Sequence, residues 1–110
     1  MSLIKTIIYK TSTGKEPFTQ WLLDLDETTR ANIIARLKRI NLGSFGDCKL
    51  LKKASGVWEL RIDLGPGYRI YFGKQGNIMV VLLVGGDKGS QERDITKAQK
   101  YWLDYKGSIK

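Results

Sequence analysis

The 110-residue sequence contains no histidine and a single cysteine, Cys48. These two scarcities remove whole classes of chemistry. A Ser-His-Asp or Cys-His nucleophile needs an imidazole, and a structural zinc site needs more ligands than one thiol supplies. No disulfide can form within the chain. Acid–base chemistry therefore falls to Lys, Arg, Tyr, Asp or Glu. Neither a metal nor a cofactor is expected. Long apolar runs are missing too. The longest, Ile78 to Val84, suits a buried strand and is far shorter than a membrane span. Met1 to Lys5 lacks the charged, apolar, then small pattern of a secretory leader. A cytoplasmic protein with no membrane partner is expected, built as one domain over residues 1–110.

Acidic charge is also in short supply. Nineteen Lys and Arg face eleven Asp and Glu, a net charge of +8 with a pI near 9.7. The excess sits in the middle of the chain, where residues 30–61 hold eight basic and two acidic side chains. A field of that sign draws polyanions, of which nucleic acid is the usual one. A solvated basic face is the competing reading.

The elements follow one another closely. Leu3 to Tyr9 is rich in β-branched residues and reads as a strand. Pro17 opens a short helix with Phe18, Trp21, Leu22 and Leu25 on one face. Asp26 or Thr28 caps a second helix that runs to about Ile40 with Ile33, Ile34 and Leu37 in its stripe. A Gly- and Lys-rich loop spans 43–56. Val57 to Asp63 and Tyr68 to Gly73 alternate as strands around Gly65-Pro66-Gly67, and Ile78 to Val84 is apolar on both faces. Gly85 to Gly89 reads as a loop, and Ser90 caps a last helix carrying Ile95, Ala98, Trp102 and Tyr105. The fold class is α+β, ordered β-α-α-β-β-β-α. It has a mostly antiparallel four-stranded sheet, an N-terminal helical hairpin on one face and a C-terminal helix. The other face is expected to be partly open and charged.

Period-two alternation puts Glu59, Arg61, Asp63, Arg69 and Tyr71 on that outer face. Lys52 and Lys53 enter from the preceding loop and Lys88 from the loop after the last strand. Cations hold phosphate and stabilise charge that builds during phosphoryl transfer. An exposed aromatic ring stacks on an unpaired base. Against this, Arg61 beside Glu or Asp is also an ordinary cross-strand pair, and Tyr71 is also an ordinary packing residue. Asp87, Glu92 and Asp94 are a magnesium set or simply acids at a helix start. The segment from Gly85 to Ser90 departs from the spacing of a nucleotide-binding loop.

Taken in order, Trp58-Glu59-Leu60-Arg61, Tyr68-Arg69-Ile70-Tyr71 and Gly85-Gly86-Asp87-Lys88 resemble the RelE/ParE toxin superfamily, and specifically its phage-related, HigB-like addiction-module killer subgroup. Phe18 to Leu22 and the Arg36-Leu37 helix fit as well, so the resemblance runs from about Ile4 to Tyr105. It implies the toxin of a type II toxin–antitoxin system, neutralised by a helix-turn-helix antitoxin. It further implies a metal-independent mRNA endoribonuclease that acts at the ribosome and inhibits translation. ParE-like members instead poison DNA gyrase, and a non-toxic nucleic-acid-binding module is a third reading. Carried over by position, Arg69, Arg61 and Lys88 become catalytic, with Glu59, Asp87 or an unprotonated Lys as general base. Lys53 fits a basic loop position of the family, and Lys52 and Tyr71, which the sequence pattern puts beside it, are expected to bind RNA with it. The basic helix places Arg36 and Arg39 against the antitoxin.

Overall fold

The computed structural model describes residues 3–108. Its elements are β1 (Lys5–Ile8), α1 (Pro17–Leu23), α2 (Glu27–Asn41), β2 (Cys48–Leu50), β3 (Trp58–Ile62), β4 (Tyr68–Gln75), β5 (Met79–Asp87) and α3 (Gln91–Ser108), with a 3₁₀ turn at Lys88–Ser90. The α+β class holds, but the sheet has five strands in the order β1-β5-β4-β3-β2. It is mixed: β1 runs parallel to β5, and the other pairs are antiparallel. The additional strand, β2, lies inside the expected 43–56 loop. Three residues are too few for alternation to show, and β2 exists only through pairing with β3, Cys48 opposite Leu60 and Leu50 opposite Trp58.

Helix starts follow local chemistry. Pro17 supplies the fixed φ of a first helical residue. Asp26 caps α2 by accepting from the Thr29 backbone N–H at 3.1 Å and from its hydroxyl at 2.6 Å. Both helices cover one sheet face. Phe18, Ile33 and Ile40 bury against Leu60, Ile62, Ile70, Phe72, Val80 and Leu82.

The opposite face is not open. α3 lies across it, burying Ala98 and Trp102 against Val57, Tyr71, Val81, Leu83 and Val84. The physical reason was present in the composition of β5: a strand apolar on both faces needs two covers. Register shifts between Tyr71 and Phe72, so Leu83 becomes an extra residue, and both Leu83 and Val84 enter the second core. β5 also runs on to Asp87, through glycines expected in a loop. Close packing explains their choice. A Cβ at Gly85 would fall 2.2 Å from the Trp21 ring, and one at Gly73 would fall 2.3 Å from Trp102. Among the described residues no helix is long and apolar enough to cross a membrane.

Candidate functional site

The β3–β4 hairpin carries the polar residues of interest on the α3 side. Arg61 stands opposite Arg69, and Glu59 opposite Tyr71. Glu59 is fully buried. One of its oxygens accepts from Arg69 Nη1 at 3.1 Å, and the other accepts from Gln91 Nε2, the first residue of α3, at 2.9 Å. The Arg69 side chain is 12% exposed, and its Nε has no hydrogen-bond partner among the described residues. Arg69 is thus held by a buried carboxylate at Nη1 and lines a cleft. A buried donor without a partner is costly unless something arrives to meet it.

Arg69 opens into a cleft of about 400 Å³ whose walls include Arg61, Lys88, Asp47, Asp63 and Tyr68. Three separate elements bring the cations here. β3 presents Arg61, β4 presents Arg69, and the turn after β5 presents Lys88, whose backbone N–H donates to Gly67 O at 2.9 Å. Arg61 is half exposed and forks onto Asp47 at 3.2 and 3.3 Å. Asp63 is exposed and makes no ion pair among the described residues.

The remaining expected residues lie elsewhere. Lys52 and Lys53 are exposed on the loop before Trp58, at the other end of β3 from Arg61. Lys53 has a left-handed φ of 62°, and its carbonyl accepts from Gln99 Nε2 at 2.8 Å, which ties the loop to α3. Tyr71 is fully buried beneath α3, so its ring presents no stacking face to solvent. Arg36 and Arg39 line a separate groove of about 300 Å³, which meets the first cleft at Ile62 and Asp63. Asp87, Glu92 and Asp94 do not converge. Asp87 accepts from Ser90 N, Asp94 accepts from Ser90 Oγ, and Glu92 faces solvent. Among the described residues no three His, Cys, Asp or Glu side chains are grouped to hold a metal ion.

Two residues escaped sequence reasoning. Asp47 reaches Arg61 only because β2 exists. Gln91 reaches Glu59 only because α3 crosses the sheet, and neither has a local signal. Cys48 offers no nucleophile. Burial pushes its thiol up to about 11, against the opposing pull of Arg36 and Lys74, so it stays protonated at neutral pH.

Burial also raises the Tyr71 phenol above its ordinary range, helped by the Glu59 and Asp94 carboxylates and opposed by Arg69. Tyr9 moves the same way, through burial and its hydrogen bond to Asp104 at 2.5 Å. Above about pH 10 the unfolded chain releases these protons while the folded chain keeps them. The folded state then binds more protons, so stability falls as pH rises. Their contribution is complete below pH 10 and is lost as pH climbs toward the folded values. Thermal melts across alkaline pH are expected to show that decline, and Tyr71→Phe is expected to flatten it. An unchanged slope in Tyr71→Phe would refute the assignment.

Residues 20–102 match the profile of a family described as "Phage derived protein Gp49-like (DUF891)". A Haemophilus influenzae protein described as "Uncharacterized protein" is 46% identical over 83 residues, which cover 74% of this chain and 82% of that protein.

Proposed function

The chain belongs to the Gp49-like family of phage-derived proteins, and on that footing we propose that it is the toxin of a toxin–antitoxin pair, of RelE/ParE type, which cleaves mRNA. One observation carries this reading: Arg61, Arg69 and Lys88 come from three different elements to a single cleft, and Arg69 is fixed there by a buried carboxylate. A guanidinium locked in place before substrate arrives stabilises developing charge without reorganising during the reaction.

The chemistry follows from that arrangement. The ribose 2′-oxygen attacks the adjacent phosphorus, and the bond from phosphorus to the 5′-oxygen breaks. The 2′-hydroxyl proton passes to a carboxylate, and the departing 5′-oxygen takes a proton from the Lys88 ammonium, leaving a 2′,3′-cyclic phosphate and a 5′-hydroxyl. Asp63 is the acidic side chain of the cleft that makes no ion pair among the described residues, so it suits the base. Glu59 is spent on Arg69 and Gln91, which makes it a positioning residue. Arg69 and Arg61 hold the non-bridging oxygens, and the Lys88 ammonium faces the leaving oxygen.

Induction in bacteria that lack the antitoxin is expected to stop growth. In extracts the protein is expected to inhibit cell-free translation and to leave gyrase supercoiling intact. Continued growth with soluble protein confirmed would refute the toxin reading, and gyrase inhibition alone would refute the ribonuclease reading.

A helix-turn-helix antitoxin completes the proposal, docking on the α2 groove at Arg36 and Arg39. The charge of the middle third supports that placement, because complementary charge speeds encounter. Arg36→Glu with Arg39→Glu is expected to slow association by about tenfold or more at low salt and to weaken its salt dependence. Stopped-flow rates identical to wild type would exclude the groove.

A further inference from the structure

A larger cleft, of about 520 Å³, shares no wall with the first. It is bounded by α1 at Gln20 and Trp21 and by Asp24 just past its end, by α3 at Arg93, Lys97 and Tyr101, and by the consecutive β5 residues 84–87. α1 covers one face of the sheet and α3 the other. Consecutive strand residues also point to opposite faces. A cleft touching all of these runs along the edge of β5.

That edge lacks a neighbouring strand. β1 pairs with β5 from Met79 to Leu82, and Tyr9 N reaches Leu82 O at 2.9 Å. The chain then leaves the sheet in a turn, Thr11 N donating to Lys15 O, and Thr11 and Lys15 line the cleft as loop residues. β4 occupies the other side of β5 as far as Asp87. Over residues 84–87, no strand lies on the β1 side among the described residues. Such an edge is a template for an added strand.

The two side walls differ. A Cβ at Gly85 would point at the Trp21 ring, and one at Gly86 at the Asp94 carboxylate of α3. Directly paired residues share a face. An added residue opposite Gly85 therefore meets α1 and Trp21, and its neighbours meet α3. On the α3 side Arg93 and Lys97 stand one turn apart, exposed and in no ion pair among the described residues. Asp87 and Asp94 are already engaged by Ser90. Toward α1 an added side chain meets the Trp21 ring, flanked by Gln20 and Asp24, and the unpaired cations Arg93 and Lys97 lie toward α3.

We propose that the β5 edge at residues 84–87 is a strand-addition site for an extended segment of a partner protein that alternates apolar and acidic side chains. The site is independent of the ribonuclease reading. Its test uses isotope-labelled full-length protein and two blocked synthetic peptides, one alternating valine with glutamate and one alternating valine with lysine. The glutamate peptide is expected to shift the amides of Gly85, Gly86 and Asp87 and to slow their exchange with solvent. Arg93→Glu with Lys97→Glu replaces exposed side chains and is expected to weaken that binding by at least about tenfold while strengthening binding of the lysine peptide. Equal binding of both peptides by the wild type would overturn the proposal. So would an absence of shifts at the peptide's solubility limit, or the same shifts produced by a uridine oligonucleotide, which would make the edge a nucleic-acid site.

Discussion

Arg69→Ala is expected to lower the rate of RNA cleavage by about 10²–10³, the usual cost of removing one fixed donor to a charged transition state. The same change is expected to weaken the fold. Glu59 is fully buried, and Arg69 is its one cationic partner among the described residues. Removing one member of such a pair leaves an uncompensated charge, at a cost of about 3–5 kcal/mol. An exposed pair on a sheet surface is worth only about 0.2–1 kcal/mol; burial under α3 changes the scale. Two further variants separate the effects. Glu59→Gln with Arg69→Met removes both charges, and is expected to recover most of the stability and none of the activity. Arg69→Lys keeps the charge but loses the planar fork, and is expected to recover part of both. A folded Arg69→Ala protein with full activity would remove Arg69 from the site.

Trp102→Ala is expected to cost about 3–5 kcal/mol, as for other buried tryptophans. Trp102 is 5% exposed, lies over Gly73 and stacks on Tyr105 at 5.6 Å. It anchors α3 to the sheet. Against a total stability of about 5–15 kcal/mol, that loss removes much of the folded population. Because α3 begins with Gln91, which braces Glu59, the variant is also expected to loosen Arg69. Calorimetry gives the first effect, and the amide spectrum around Glu59 and Arg69 gives the second. A melting temperature within two or three degrees of wild type, at roughly 4 °C or more per kcal/mol, would show that α3 is not the cover of this face.

Period and punctuation made much of the molecule legible. The stripe from Phe18 to Leu22, the alternation from Trp58 to Ile62 and the Pro and Gly signals locate both early helices and the hairpin, and α3 follows from its own stripe. What stayed hidden depends on contacts distant in sequence. β2 is too short to show a period. Gly85 and Gly86 read as loop because the rings and carboxylate that press on them come from α1 and α3. The buried state of Glu59 and Tyr71 was concealed because alternation tells which face a residue takes, and not what lies over that face. The basic residues followed the same division. Arg61 and Arg69 come together because hairpin register is local, whereas Lys52 and Lys53, near in sequence, are carried to the opposite end of the strand.

The most direct test is cleavage of a defined mRNA in a purified translation system, measured by primer extension with wild-type, Asp63→Asn and Lys88→Ala proteins. Wild type is expected to leave discrete breaks within the translated message, and each variant, folded by its amide spectrum, to slow their appearance by about 10²-fold. Intact message with wild-type protein, or breaks that form equally fast with both variants, would contradict the assignment of this cleft as a ribonuclease site.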